Sequence, residues 1–178
     1  MEDFVRVMHT IQAYDIFIFM WIAESRTRRN LIQVARWISK TGDGYLYLAQ
    51  AIVLWWIASE HATDLLWALT LAFVIERPLY FVLKNGCRRD RPQAALNIPG
   101  FVTPSDRFSF PSGHTSAAFL VATLTASFYP WLTLPLMLWA STIGCSRVIL
   151  GVHFPTDTLI GAVMGSMVAL TSMEIILR

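Results

Sequence analysis

Three short stretches hold the residues of this 178-residue chain best suited to chemistry. KNGCRRDRP places Lys84 ahead of the Arg91–Pro92 pair, PSGHTS presents Ser112, Gly113 and His114, and SRVILGVHFPTD carries Arg147, His153 and Asp157. Lys84, Arg91 and Arg147 offer fixed positive charge and many N–H donors, and the planar fork of arginine matches phosphate oxygens. Ser112 suits a helix N-cap, and Gly113 lets backbone come close to a ligand. A helix starting there would direct free N–H groups at an anion. These residues describe a phosphate cradle. Pro155 suits the first position of the next helix, which sets His153 just before it and Asp157 in its first turn. At a spacing of four, Asp157 can accept from one imidazole nitrogen of His153, fixing the tautomer and leaving the other nitrogen free. An oriented, neutral histidine beside bound phosphate is a nucleophile. The second histidine, His114, can protonate the leaving oxygen, since imidazoles titrate near neutrality. Alone, either histidine would suit packing or capping. Grouped with three cations and a carboxylate at membrane depth, they call for a function, because buried charge is costly there.

The elements that must position these groups are greasy. Hydrophobic residues make up 55% and charged residues 15% of the chain, against about 25% charged in an average soluble domain. The expectation is one membrane domain over 1–178. Residues 1–43 form an N-terminal interfacial or spanning helix with a basic linker, and 44–178 form the catalytic bundle. A net charge of +2 makes no case for nucleic acid. Spans, which need about 20 apolar residues, are expected at 44–59, 65–83, 112–129, 132–150 and 156–177. The uncharged run from Thr115 to Ser146 is too long for one span, and Pro130, between Tyr129 and Trp131, marks its interfacial turn. Glu76 and Arg77 interrupt the second span and should face the bundle interior; Pro78 can kink it. Gly161 and Gly165 permit close helix packing. The segment 11–23, with Asp15, either lies along the interface or spans. MEDFVRVMHT lacks the pattern of a cleavable signal peptide. The expected fold is an all-α integral membrane helix bundle with five or six transmembrane helices. Alternation then puts 24–43, 84–111 and 151–155 on one face of the membrane, so the three stretches converge.

With these residues in place, the chain resembles the type-2 phosphatidic acid phosphatase (PAP2) superfamily, which also includes vanadium haloperoxidases. The family pattern KxxxxxxRP, PSGH, SRxxxxxHxxxD is matched by Lys84 to Pro92, Pro111 to His114, and Ser146 to Asp157. The resemblance implies that His153 attacks phosphorus to form a phosphohistidine and that Asp157 orients it. His114 would be acid for the leaving group and then base for water. Lys84, Arg91, Ser112, Gly113 and Arg147 would hold the phosphoryl oxygens. No metal or other cofactor is expected, because the cations stabilise the developing charge. The expected partners are the bilayer and a lipid phosphate: phosphatidic acid, phosphatidylglycerophosphate, undecaprenyl diphosphate or lipid A. Alternatives are a phosphotransferase using the same site and a non-catalytic lipid-binding or scrambling protein. A haloperoxidase does not fit a chain without that branch's soluble scaffold.

The remaining polar residues are expected to be peripheral. Arg88, Arg89 and Arg107 should be solvated or near head groups. Arg26, Arg28, Arg29, Arg36 and Lys40 should form an interfacial basic surface. His9 and His61 should be incidental, and Cys87 and Cys145 unpaired thiols. The excess of Lys and Arg on the motif face would make it cytoplasmic. The family resemblance implies the extracytoplasmic face of a bacterial inner membrane, which is the expectation taken.

Overall fold

The computed structural model describes residues 2–24, 28–57, 61–98, 101–104 and 106–177; Arg26 and the side chains of Arg28 and Arg29 lie outside them. The described chain is helical: α1 (Glu2–Ala23), α2 (Arg28–Thr41), α3 (Gly44–Ile57), α4 (Ala62–Cys87), α5 (Pro92–Ala95), α6 (Gly113–Phe128), α7 (Thr133–Ile149) and α8 (Pro155–Leu177), with a 3₁₀ turn at Pro130–Leu132 before α7. Among the described residues, three stretches, Ala62–Cys87, Pro130–Ile149 and Pro155–Leu177, are long and apolar enough to cross a membrane. Their outer faces expose Trp67, Phe81, Leu134, Leu159 and Met167, as contact with lipid requires.

At the centre, α6 is wrapped by α4, α7 and α8. Its residues Thr115–Ala118 and Leu120–Ala126 are buried, and many are Ala, Ser or Thr. A helix enclosed by helices needs small residues for close approach rather than a lipid-facing surface. The tightest seam is with α8. A Cβ on Gly161 would lie 2.6 Å from the Ser112 carbonyl oxygen, and one on Gly165 2.1 Å from that of Ser116. The expected glycine pair therefore has a specific seat.

α4 is longer than the expected 65–83 and runs unbroken through Pro78. Glu76 faces the interior as expected: it is fully buried and accepts hydrogen bonds from Ser116 Oγ at 2.7 Å and Arg77 Nε at 2.5 Å. α2 was expected only as linker. Its buried Ile32, Ala35 and Ser39 recur at helical spacing, and Ile32 and Ala35 pack against Leu150 and Val152. Arg36 and Lys40 stay on its exposed face. In α1, Asp15 and Phe19 are buried, and Phe19 meets the Phe154 ring edge-on at 6.1 Å. The C-terminal ends of α4 and α7 and the N-terminal ends of α6 and α8 share one end of the bundle, with α1 and α2 laid against it.

Candidate active site

Helix termini at that shared end position the expected residues. Lys84 stands in the last turn of α4 and donates to Tyr80 Oη at 2.5 Å. Arg91 precedes α5, which starts on Pro92. Arg91 Nη1 donates to the Val152 carbonyl at 2.7 Å and Nε to the Asp106 carbonyl at 3.0 Å. Arg147 occupies the last turn of α7, with Nη1 on Ser39 Oγ at 2.7 Å and Nε buried without a hydrogen-bond partner among the described residues. The chain then turns through Gly151, whose φ of 76° suits glycine. The Val152 and His153 N–H groups both donate to the Arg147 carbonyl, at 3.2 and 3.3 Å. His153 is thereby folded back under the arginine.

Ser112 does take the N-cap position of α6, but its hydroxyl pairs with Thr115 Oγ1 at 2.8 Å and makes no cap bond. Its N–H donates to the Asp157 carbonyl at 3.0 Å, tying the start of α6 to α8. At Gly113 the close approach is by protein: a Cβ would lie 2.9 Å from Tyr80 Cε2. The first turn of α6 retains N–H groups that no helical carbonyl can satisfy.

The His153–Asp157 pair differs from expectation. His153 Nδ1 lies 3.8 Å from Asp157 Oδ2, beyond a hydrogen bond, and has no partner among the described residues. The carboxylate is engaged elsewhere. Asp157 Oδ2 accepts the Phe154 N–H at 2.8 Å, reaching back to the N-cap residue of α8. Asp157 Oδ1 accepts from Arg89 Nη1 at 2.8 Å. Burial, opposed by Asp157 and aided by Arg147 and Arg91, pushes the His153 imidazole down to about 4, so it is neutral at pH 7. His114, at the start of α6, faces Asp43 Oδ1 at 3.2 Å.

Sequence reasoning missed four residues here. Arg89, expected to be solvated or near head groups, bridges Asp157 and Asp15 (Nη2 to Oδ2, 2.6 Å) and lies 4.4 Å over the Phe154 ring. Asp15 also accepts the Thr156 N–H at 3.0 Å. Asp43 pairs with His114. Asp106 accepts from Tyr80 Oη at 2.9 Å, contacts Lys84 Nζ at 3.1 Å and is bonded by Arg91. Burial alone would raise the Asp106 carboxyl, but Arg91, Tyr80 and Lys84 hold it below its ordinary value. The signal that could have found Asp15 was a lone carboxylate inside an apolar run. Arg88 and Arg107 are exposed, as expected.

Two cavities meet at His114 and Asp43. One, of about 540 Å³, runs between α3 and α4 past Tyr47, Ala51, Leu66, Leu69 and Phe73. The other, of about 640 Å³, opens between α2 and residues 102–104, beside Arg36, Lys40 and Arg147. Among the described residues, no group of three or more His, Cys, Asp or Glu could hold a metal ion.

A membrane helix bundle that gathers three cations and two histidines at one end is suited to stabilising charge on a transferring phosphoryl group. The chain belongs to the PAP2 superfamily, whose family model matches residues 61–178. It is 34% identical over 156 residues to the decaprenylphosphoryl-5-phosphoribose phosphatase of Mycobacterium tuberculosis, covering 79% of this chain and 78% of that one. The crystal structure of Aquifex aeolicus LpxE superposes with a TM-score of 0.75 at 30% identity, covering 89% of this chain and 94% of that one. The transmembrane PAP2-type phosphatidylglycerolphosphate phosphatase of Bacillus subtilis shares the fold, with a TM-score of 0.75 at 24% identity over 93% of this chain and 86% of that one. The protein is an integral membrane phosphatase of this family.

Proposed function

We propose that the protein hydrolyses a phosphate ester or anhydride of a membrane lipid through a phosphohistidine on His153. One observation carries this reading: a buried, neutral imidazole, that of His153, stands within the fields of Arg147 and Arg91, and the second histidine, His114, lines a groove whose other wall is apolar. Phosphate enters the cradle while the lipid chain lies between α3 and α4. His153 Nδ1 faces Asp157, which leaves Nε2 for phosphorus. Attack forms the Nε2–P bond and breaks the P–O bond to the leaving group, whose oxygen takes a proton from His114. Water then attacks phosphorus, His114 takes its proton, and His153 is released with inorganic phosphate. Asp157 orients His153 once substrate shortens their contact, since catalytic hydrogen bonds are often long without ligand. Lys84, Arg91, Arg147 and the N-terminus of α6, through Ser112 and Gly113, take up the oxygens' charge without a metal ion.

Phosphate release by purified protein from a panel of lipid phosphates, with EDTA present, tests the proposal. His153→Ala should abolish release and leave the fold intact. Full activity of that variant would discard the mechanism, and loss of wild-type activity in EDTA would discard its metal independence. A labelled acceptor lipid that captures the phosphoryl group would show transfer instead of hydrolysis. The site is assigned to the extracytoplasmic face of the inner membrane. The end of α8 lies opposite the site, so a C-terminal reporter active only in the cytoplasm should respond; a periplasmic C-terminus would overturn the assignment.

A further inference from the structure

Arg77 belongs to no part of the phosphate cradle, yet it lines the same groove. It lies in the middle of an apolar span, where an ionised side chain is costly. Its neighbour Glu76 is fully buried and already bonded to Ser116. Arg77 is not buried with it: 42% of its side chain is exposed, into the groove shared with Tyr80, Gly113 and His114. Glu76 Oε2 lies 2.5 Å from both Nε and Nη2 of the guanidinium, and Nη2 is buried, so the exposed edge is the Nη1 side. As a mere counter-ion, Arg77 would have no reason to present that edge to the cavity. Glutamine at position 76 would serve Ser116 with no cation at all.

The Tyr80 ring fixes where this edge stands relative to the cradle. Arg77 Cζ is 5.0 Å from the ring centroid, and Lys84 Nζ is 4.5 Å from it. The two cations are therefore less than about 10 Å apart. A diphosphate with an outer oxygen about 2.8 Å from each cation bridges about that distance. The groove itself is graded. Asp43, Arg77, Tyr80 and His114 line its polar part, and Ala51, Leu66, Leu69 and Phe73 line the rest. Among the described residues, the one opposing charge lining that polar part, Asp43, is paired with His114.

We infer that Arg77 is a subsite for a second phosphate, and that the substrate class is a lipid diphosphate whose terminal phosphate sits in the cradle and whose inner phosphate sits on Arg77. This rests on the phosphatase reading above and narrows it. In the reaction, His153 Nε2 bonds to the terminal phosphorus while its bond to the bridging oxygen breaks. The lipid monophosphate leaves with a proton from His114 on that oxygen. Water then releases inorganic phosphate from His153. Arg77 meets the charge gathering on the departing phosphate.

Farnesyl diphosphate and farnesyl monophosphate, which share one chain, test the inference on purified protein, with dioleoyl phosphatidic acid as a third substrate. Wild-type protein should favour the diphosphate in kcat/KM. Arg77→Gln should lower kcat/KM on the diphosphate about 10- to 100-fold, the loss of a charge-assisted pair, and alter the two monophosphates less than about 3-fold. Because Arg77→Gln strands the buried Glu76, the double variant Glu76→Gln, Arg77→Gln removes both charges and should show the same selective loss. Equal loss on all three substrates, no loss, or a wild-type preference for a monophosphate would overturn the subsite and leave the phosphatase reading standing. Release of phosphate from none of the three would overturn both.

Discussion

Asp106 holds the place that an anion would take. Its carboxylate contacts Lys84 and Arg91, the two cations that the family pattern offers to phosphate. An arriving phosphoryl group must draw both away from it. Asp106→Asn keeps the side chain's shape and its bond to Tyr80 and removes the competing charge. Arg91 stays anchored by the carbonyls of Val152 and Asp106, and Lys84 by Tyr80, so the cradle persists. A charge-assisted hydrogen bond contributes about 1.5–3 kcal/mol when buried. The Asp106 side chain is 35% exposed, and solvent screening lowers this to about 1 kcal/mol for each contact. Two contacts give about 2 kcal/mol, or about 30-fold in affinity. The measurement is the inhibition constant of inorganic phosphate against lipid phosphate hydrolysis, in wild type and variant. The constant should fall about 10- to 30-fold, and KM should fall with it. A constant that stays or rises, together with a collapse of kcat, would mean that Asp106 holds the cations in position rather than competing for them.

Arg89→Gln should lower kcat about 10- to 100-fold with KM within about 3-fold, and should move the acid limb of the pH profile upward, because His153 then meets an Asp157 without its counter-charge; an unmoved profile would reduce Arg89 to a structural tie. Folded His153 stays neutral down to about pH 4, whereas the unfolded side chain takes a proton near 6.5. Unfolded chains therefore bind more protons in that window, and stability, full above pH 6.5, should fall by up to about 3 kcal/mol as pH drops to 4. Thermal unfolding in detergent should show this slope, and His153→Gln should flatten it. Gly165→Ala should destabilise by about 1–3 kcal/mol through overpacking against the Ser116 carbonyl, visible as a lower Tm; an unchanged Tm would contradict the seam.

The parts legible in the sequence are those written locally. Pro155 and Asp157 define the start of α8 within three residues, and Pro130 splits an uncharged run into α6 and α7. The helices carrying the three motif stretches follow from hydropathy, and parity brings their ends together. The unforeseen residues act across long separations. Arg89 meets Asp157 68 residues away and Asp15 74 residues away, and no local pattern announces such partners. Arg89 read as a solvated or head-group cation, and nothing in the sequence singled out Asp106. α2 was obscured by its arginines, although Ile32, Ala35 and Ser39 already traced a helical stripe.

The glycine seam between α6 and α8 divides the molecule into two kinds of territory. Ser112, Gly113 and His114 ride on one side of it and His153 and Asp157 on the other, locked at backbone distance. α3 has α4 as its one extensive neighbour among the described residues. Its Tyr47 and Ala51 face Leu66 and Phe73 across the groove and share a buried cluster with Ala117, Leu120 and Leu124 of α6. The chemistry is thus built on a seam held at backbone distance, while the groove is walled by side chains of α3 and α4 that pack into the same core. A change cut into α3 therefore reaches the reacting end too, through Gln50 on Thr125 and through Asp43, just ahead of α3, on His114, so the width of the groove and the register of the histidine are set together.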